Sequence, residues 1–367
     1  MLEERLSVAP MMEISDRHWR ALLRRISRRT VLYSEMLVDH VVLHNSSAQA
    51  LDFFLGTDID EHPSVVQLGG HDPDSLAKAT EVVSGYGSYG EVNLNCGCPS
   101  QRVAQRCFGA SLMLEPELVR RIVHSMTRVT TLPVTVKCRI GVDDRDSYPA
   151  LTEFIMAARQ GGCRKFIVHA RKCLLQGLST KQNRDVPPLH PEVVHRLVGD
   201  FPDLLFVLNG GVLTLEQAER HLSSDVRPVH GVMIGRAVHN NPLLLATADS
   251  RFFGVRDSCG SRRRVVESYM DYCEWAQSEA GPVRELGGRR QQATTSLLLK
   301  PVQNLMVGLQ HNSRYRQVLN DAYVARVQAG AANPSPREVI EEALACLNDD
   351  DLDAPLGADP KDVVPCS

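Results

Sequence analysis

Eight short apolar runs punctuate the first two-thirds of the chain, at residues 7–11, 31–36, 64–68, 91–95, 134–140, 165–170, 205–208 and 231–234. Stretches of helical period lie between them, at 74–85, 116–129, 148–161, 191–201 and 215–222. Short apolar runs of this kind suit strands buried on both faces, and helices between them make parallel crossover units. Eight such units in roughly 240 residues is close to the usual size of the (β/α)₈ barrel. A doubly wound sheet shares the alternation but not the count. The chain is therefore predicted to be an α/β protein built on a (β/α)₈ TIM barrel over residues 1–250.

Beyond Phe253 the alternation stops. Residues 262–280 read as a helix with Val266, Tyr269, Met270, Cys273 and Ala276 on one face. Residues 281–295 read as a polar connection, and 297–309 and 315–329 as further helices. Ser335-Pro336-Arg337-Glu338 announces a last one, with a capping Ser, a Pro at the first helical position and a capping-box Glu. A small all-helical domain is expected over 251–348, followed by an acidic, disordered tail over 349–367.

Composition excludes several classes of function. Hydrophobic residues at 43% and charged residues at 23% describe a folded globular chain. No apolar run approaches the length needed to span a bilayer, so no membrane partner is expected. No signal or transit peptide is read, which predicts the cytoplasm, or an organelle should a transit segment precede this sequence. The ten cysteines are scattered, as in a reduced compartment. Cys96, Cys98 and Cys107 lack a second ligand pair, so no metal is expected. Net charge is −3, but residues 346–367 hold six Asp and one Lys, which leaves +2 for the rest. That balance permits a nucleic-acid partner without demanding one. A monomer is expected.

Barrels of this kind build their sites where strands end. Here those ends carry Pro10-Met11-Met12, Ser34-Glu35, Gln67, Asn93 and Asn95 running into Gly97-Cys98-Pro99, Lys137 and Arg139, His169-Ala-Arg171-Lys172, Asn209-Gly210-Gly211 and Gly235-Arg236. Each alone has an ordinary explanation, such as a turn glycine or a packed histidine. Together, at successive strand ends, they outweigh it. Glycines after the seventh and eighth strands suit a phosphate, because backbone N–H groups can approach the anion closely. Flavin mononucleotide (FMN) has one such phosphate, and Lys137 suits the edge of its ring where reduction builds negative charge. Gln67 can pair with the same polar edge. Cys98 is the candidate general acid, since an ordinary thiol is mostly protonated at neutral pH. Cys96 remains open as a rival donor. No glycine-rich dinucleotide fingerprint follows any strand.

Asn93-Leu-Asn-Cys-Gly-Cys98-Pro-Ser followed by Phe108-Gly-Ala110 resembles the signature of the tRNA-dihydrouridine synthases. Ala9-Pro-Met11, Gln67-Leu-Gly-Gly70, Val136-Lys-Cys-Arg139-Ile-Gly141, His169-Ala-Arg-Lys172, Leu208-Asn-Gly-Gly211 and Met233-Ile-Gly-Arg236 extend the likeness over residues 6–245. Gly177-Leu-Ser-Thr-Lys181-Gln-Asn-Arg184 resembles the A-type branch, which acts on D-loop uridines 20 and 20a. Leu299-Lys-Pro-Val-Gln-Asn-Leu305 is similar to plant and algal members of that branch. Cys96 and Ser111 depart from the branch pattern, and neither carries the expected chemistry.

The resemblance implies that NADPH reduces FMN, that hydride passes from the flavin to C6 of a uracil, and that Cys98 protonates C5. It places FMN on Pro10, Met11, Met12, Gln67, Lys137, His169, Asn209, Gly210, Gly211, Gly235 and Arg236. It puts the target uracil on Asn95, and tRNA contacts on Lys181 and Arg184. Two rivals are weighed against it. A dihydroorotate dehydrogenase-like FMN barrel would act on a free pyrimidine, but the helical domain and the Lys181/Arg184 loop favour a large anionic substrate. A dead scaffold that only binds RNA is disfavoured by the presence of Cys98, Lys137 and His169 together.

Overall fold

The computed structural model describes residues 1–44, 48–57, 62–286 and 289–357. Eight parallel strands close into a barrel in sequence order: β1 (Leu6–Val8), β2 (Val31–Val38), β3 (Ser64–Gly69), β4 (Glu91–Cys96), β5 (Val134–Arg139), β6 (Lys165–His169), β7 (Leu205–Asn209) and β8 (Gly231–Ile234). β1 closes the ring on β8 through Leu6↔Val232, Ser7↔Met233 and Val8↔Ile234. The TIM-barrel expectation is met, and the helices Tyr148–Gly161 and Leu215–Leu222 carry the bounds expected of them.

The pleat explains how one barrel holds both a core and a site. Alternate residues of a strand face the interior, and the register aligns them in layers. In β6, Lys165 lies at the base, Ile167 in the middle and His169 at the mouth. The base layer is a buried charge cluster in which Lys165 Nζ lies 2.6 Å from Glu4 Oε2 and 2.6 Å from Glu91 Oε2. Tyr33 donates its hydroxyl to Glu4 at 3.0 Å. Above it Val31, Tyr33, Val65, Ile167, Val207 and Met233 pack as an apolar plug with Ala9. The C-terminal ends of the same strands then present Gln67, Asn95, Lys137, His169 and Asn209 at the mouth.

The described chain divides into two compact units. One holds Met1–Ser15, Thr30–Ser46 and His62–Gly235, and the other Asp16–Arg29, Ser47–Glu61 and Arg236–Ser367. The second is mainly helical, with Arg17–Ile26, Arg262–Gln277, Asn312–Gln328 and Pro336–Leu344 as its main helices. It also contains an antiparallel hairpin, β9 (Val283–Leu286) with β10 (Arg289–Gln292), inside what the sequence suggests is a plain connection. The helix expected over 297–309 is broken: Thr295–Leu299 ends before Pro301, which lacks an N–H and opens the 3₁₀ turn Pro301–Asn304.

Part of the acidic tail is corrected from disordered to helical. Asp349–Asp353 forms a short helix capped by Asn348, with Leu352 buried and Arg263 bonded to Asp349 and to Asp353. Acidic residues in a first turn suit the positive end of the helix dipole. The rest of that expectation, from residue 358 on, lies outside the described residues. Among the described residues, no helix is long and apolar enough to cross a membrane.

Candidate active site

The mouth of the first unit is organised around the loop after β4. Asn95 is the last inward residue of β4, and its Oδ1 accepts the backbone N–H groups of Gly97 (3.1 Å) and Cys98 (3.0 Å). Its Nδ2 donates to Gln67 Oε1 at 2.7 Å. This turn carries Cys98 off the strand, and Pro99 follows at once. From the other side, Gly109 (φ +72°) packs so close that a Cβ there would lie 2.8 Å from the Cys98 carbonyl oxygen. Only glycine fits at that position.

Burial pushes the Cys98 thiol above its ordinary pKa, against opposing pulls from a backbone hydrogen bond at Ser100 and from the charges of Arg139, Lys137 and Arg184. The proton is thus retained through neutral pH while the side chain stays partly accessible. Cys96 differs in every respect. It pairs with Cys138 in the sheet on the opposite pleat, is fully buried, and its thiol is driven far up by burial beside Cys138 and Cys163. A thiol facing the outer helices cannot deliver a proton into the mouth.

Across the mouth, Lys137 Nζ donates to Asn209 Oδ1 at 3.0 Å, and Asn209 Nδ2 donates to the Met233 carbonyl at 2.9 Å. Burial and the neighbouring Arg139 charge pull the Lys137 pKa down to about 8. Gly210 (φ +105°) leaves no room for a side chain, because a Cβ would lie 2.5 Å from His169 Cδ2. Gly235 is unlike it: a Cβ there would meet only Ala9 Cβ at 3.4 Å and Met11 Sδ at 3.7 Å. The protein's own packing does not fill that space, as expected of a cradle for a ligand. Pro10 and Met11 follow β1 at the same edge, and Met12 is 56% exposed. The donor set of ammonium, imidazole, amide and glycine backbone suits a phosphorylated, electron-accepting ring, so these residues fit FMN.

The three remaining expected residues stand on other segments. Lys181 is exposed on the loop after β6 and caps the 3₁₀ turn Gln182–Arg184. Arg184 is partly buried and near enough to Cys98 and Arg139 for its charge to act on both. Arg236 opens the helix Arg236–Asn240 of the second unit. The sequence names Arg139 as a strand-end charge without assigning it a task. In the structure it is a clamp, donating to the carbonyls of Gly97 (3.0 Å), Lys172 (3.0 Å) and Asn183 (2.9 Å). Among the described residues, no group of three or more His, Cys, Asp or Glu side chains could hold a metal ion.

The dihydrouridine synthase family profile matches residues 7–342. A tRNA-dihydrouridine(20/20a) synthase of Pseudomonas aeruginosa is 42% identical over 347 residues, covering 94% of this chain and 96% of that protein. Proteins of the same name from Synechocystis sp. and Vibrio vulnificus are each 45% identical, over 73% and 74% of this chain and 78% and 80% of their own.

Proposed function

The chain belongs to the dihydrouridine synthase family, and from that premise we propose that it reduces the C5–C6 bond of D-loop uridines 20 and 20a in tRNA, with FMN bound and NADPH as reductant. The name shared by the relatives supports the substrate. The observation that carries the chemistry is Cys98: a thiol that burial keeps protonated, on a turn whose backbone N–H donates to Asn95 at the end of β4, in a mouth that also presents Lys137, His169 and Asn209.

FMN would rest on Pro10, Met11, Met12, Gln67, Lys137, His169, Asn209, Gly210, Gly211, Gly235 and Arg236, and when bound supplies the two-electron step that carries hydride from NADPH to C6. Lys137 would hold the polar edge of the ring and supply a positive charge to offset the negative charge of reduction. Cys98 Sγ gives its proton to C5 on the other face of the uracil and is reprotonated from solvent. One uridine, one NADPH and one proton thus yield one dihydrouridine and NADP⁺. The base must leave its stack to reach the mouth, as enzymes acting on a base within a nucleic acid require. Lys181 and Arg184, on one loop beside Cys98, would meet tRNA phosphates.

The test begins with the purified protein, which should be yellow and release FMN on denaturation. Given NADPH, it should convert uridines 20 and 20a in tRNA that lacks dihydrouridine, while free uridine and dihydroorotate remain unchanged. A colourless protein that takes up no FMN overturns the cofactor. Turnover of a free pyrimidine in place of tRNA moves the chain to the dihydroorotate-type reading.

A further inference from the structure

Four side chains form one directional hydrogen-bond chain beneath the mouth, and two of them have no task in the reaction proposed above. Asn95 Oδ1 accepts two backbone N–H groups, which can only donate, so its Nδ2 must face Gln67. Gln67 Oε1 is then the acceptor, and Gln67 Nε2 donates to Asn93 Oδ1 at 2.8 Å. Asn93 Nδ2 donates to Thr135 Oγ1 at 2.9 Å, and Thr135 donates to the Val92 carbonyl at 3.5 Å. The polarity runs one way from the Cys98 N–H to Val92. Asn93 and Thr135 are fully buried, and Gln67 and Asn95 nearly so. In such surroundings each bond polarises the next, and an unpaired member is costly.

We propose that Asn93 and Thr135 are positioning residues for uridine reduction: through Gln67 and Asn95 they hold the Cys98 loop at the depth where its thiol faces the substrate. This rests on the proposed function. The two backbone N–H groups set the sense of the chain, and the Thr135 hydroxyl closes it, accepting from Asn93 and donating onward to the Val92 carbonyl. Without that hydroxyl the buried Asn93 Nδ2 group is left unpaired, and it can find a new acceptor only by a shift of Asn93 away from Gln67. That shift weakens the hold of Gln67 on Asn95 and of Asn95 on the two N–H groups of the Cys98 turn.

The experiment compares Thr135→Val, which keeps the shape and loses the hydroxyl, with Thr135→Ser, which keeps the hydroxyl. Two readouts are taken on the full-length holoenzyme. The first is the pH profile of Cys98 alkylation, followed by peptide mass and needing no RNA. The second is single-turnover reduction of flavin by NADPH and its reoxidation by tRNA. Thr135→Val should alkylate several-fold faster at pH 8, with its midpoint moved down as the thiol loses its burial. Reoxidation should slow by about tenfold to a hundredfold, as misplacement of a reacting group allows, and by far more than flavin reduction by NADPH. Thr135→Ser should match wild type in both. Should Thr135→Val fold poorly, the Asn93→Leu/Thr135→Val pair replaces both polar groups with apolar ones and should show the same shifts. Wild-type behaviour of the Val variant in both readouts overturns the proposal. An alkylation shift in a protein whose wild type reduces no tRNA upholds the chain of bonds and overturns the functional reading instead.

Discussion

At the scale of single residues, burial and charge do opposite things to two groups that face the same mouth. Cys98 is pushed up, so its proton is present at neutral pH and lost only as pH rises through the raised value. Cys98→Ala should keep FMN and its reduction by NADPH but lose uridine reduction by roughly 10²- to 10⁴-fold, the usual worth of a general acid. Cys96→Ala should leave turnover near wild type, and a reversed result moves the acid to Cys96. Lys137 is pulled down to about 8. Below that pH it is already charged, and an anion binds without taking up a proton. Above it each FMN bound must bring a proton to the lysine, so log K for FMN and apoprotein should fall by about one per pH unit. Lys137→Arg keeps its charge at every pH and should flatten that profile, and a decline that survives the substitution assigns the linkage elsewhere. Sequence reading finds Cys98, Lys137 and Asn209 because a thiol or cation at a barrel strand end is chemically conspicuous. It cannot find the roles of Asn93, Thr135 or the Arg139 clamp, since those depend on which amide oxygen faces which neighbour across three strands.

At the scale of elements, the barrel is held at its base by charge and by the absence of a side chain. Lys165 sits between Glu4 and Glu91, with side-chain exposures of 2%, 1% and 0%. Lys165→Met would leave two buried carboxylates without their cation, which should cost about 3–5 kcal/mol. The loss, measured by denaturant unfolding, should shrink at acid pH as Glu91, whose carboxyl is pushed up by burial, takes up a proton. A deficit equal at pH 5 and pH 8 would mean that packing, not charge, is responsible. Gly231 opens β8, and a Cβ there would lie 1.8 Å from the Glu4 carbonyl oxygen. Gly231→Ala should therefore lower Tm by spreading the β1–β8 seam, while Gly85→Ala, where nothing lies within 4 Å, should not. The strands were legible because a parallel strand buried on both faces is an apolar run bounded by turns. The helix Arg17–Ile26 was not. Its buried residues include Arg17, Arg20 and Arg24, which break the apolar stripe by which a buried helix is recognised, and Arg17 bonds Asp52, Arg20 the Gly56 carbonyl and Arg24 the Ser27 carbonyl.

At the scale of the whole molecule, the second unit is assembled from three separated segments, and this decides how tRNA recognition must be tested. His18 Nδ1 lies 2.8 Å from the Tyr272 hydroxyl, and Arg25 donates to the Ser268 carbonyl at 2.9 Å. Truncation after Phe253 removes both partners and the whole helix Arg262–Gln277, which packs against Arg17–Ile26. That fragment should aggregate, so lost tRNA binding in it would say nothing about RNA contacts. Full-length charge variants are the sound test. With a net charge of only −3 over the chain, attraction to a polyanion has to come from a local face. Each phosphate contact releases condensed counterions, and its removal should flatten the plot of log K against log salt by about 0.7–0.9. Lys181→Ala, on an exposed loop residue, should raise KM for tRNA and reduce that slope, leaving kcat and the NADPH half-reaction alone. Arg184→Ala should do the same and more. Its charge also favours the Cys98 thiolate, so its loss should move the alkaline limb of kcat to higher pH. Unchanged salt slopes in both variants would mean that these residues are solvated loop charges and that the RNA is gripped elsewhere. A reduced slope for Lys181→Ala without a pH shift, beside a reduced slope with one for Arg184→Ala, would mark the path from phosphate contact to proton donor along this single loop.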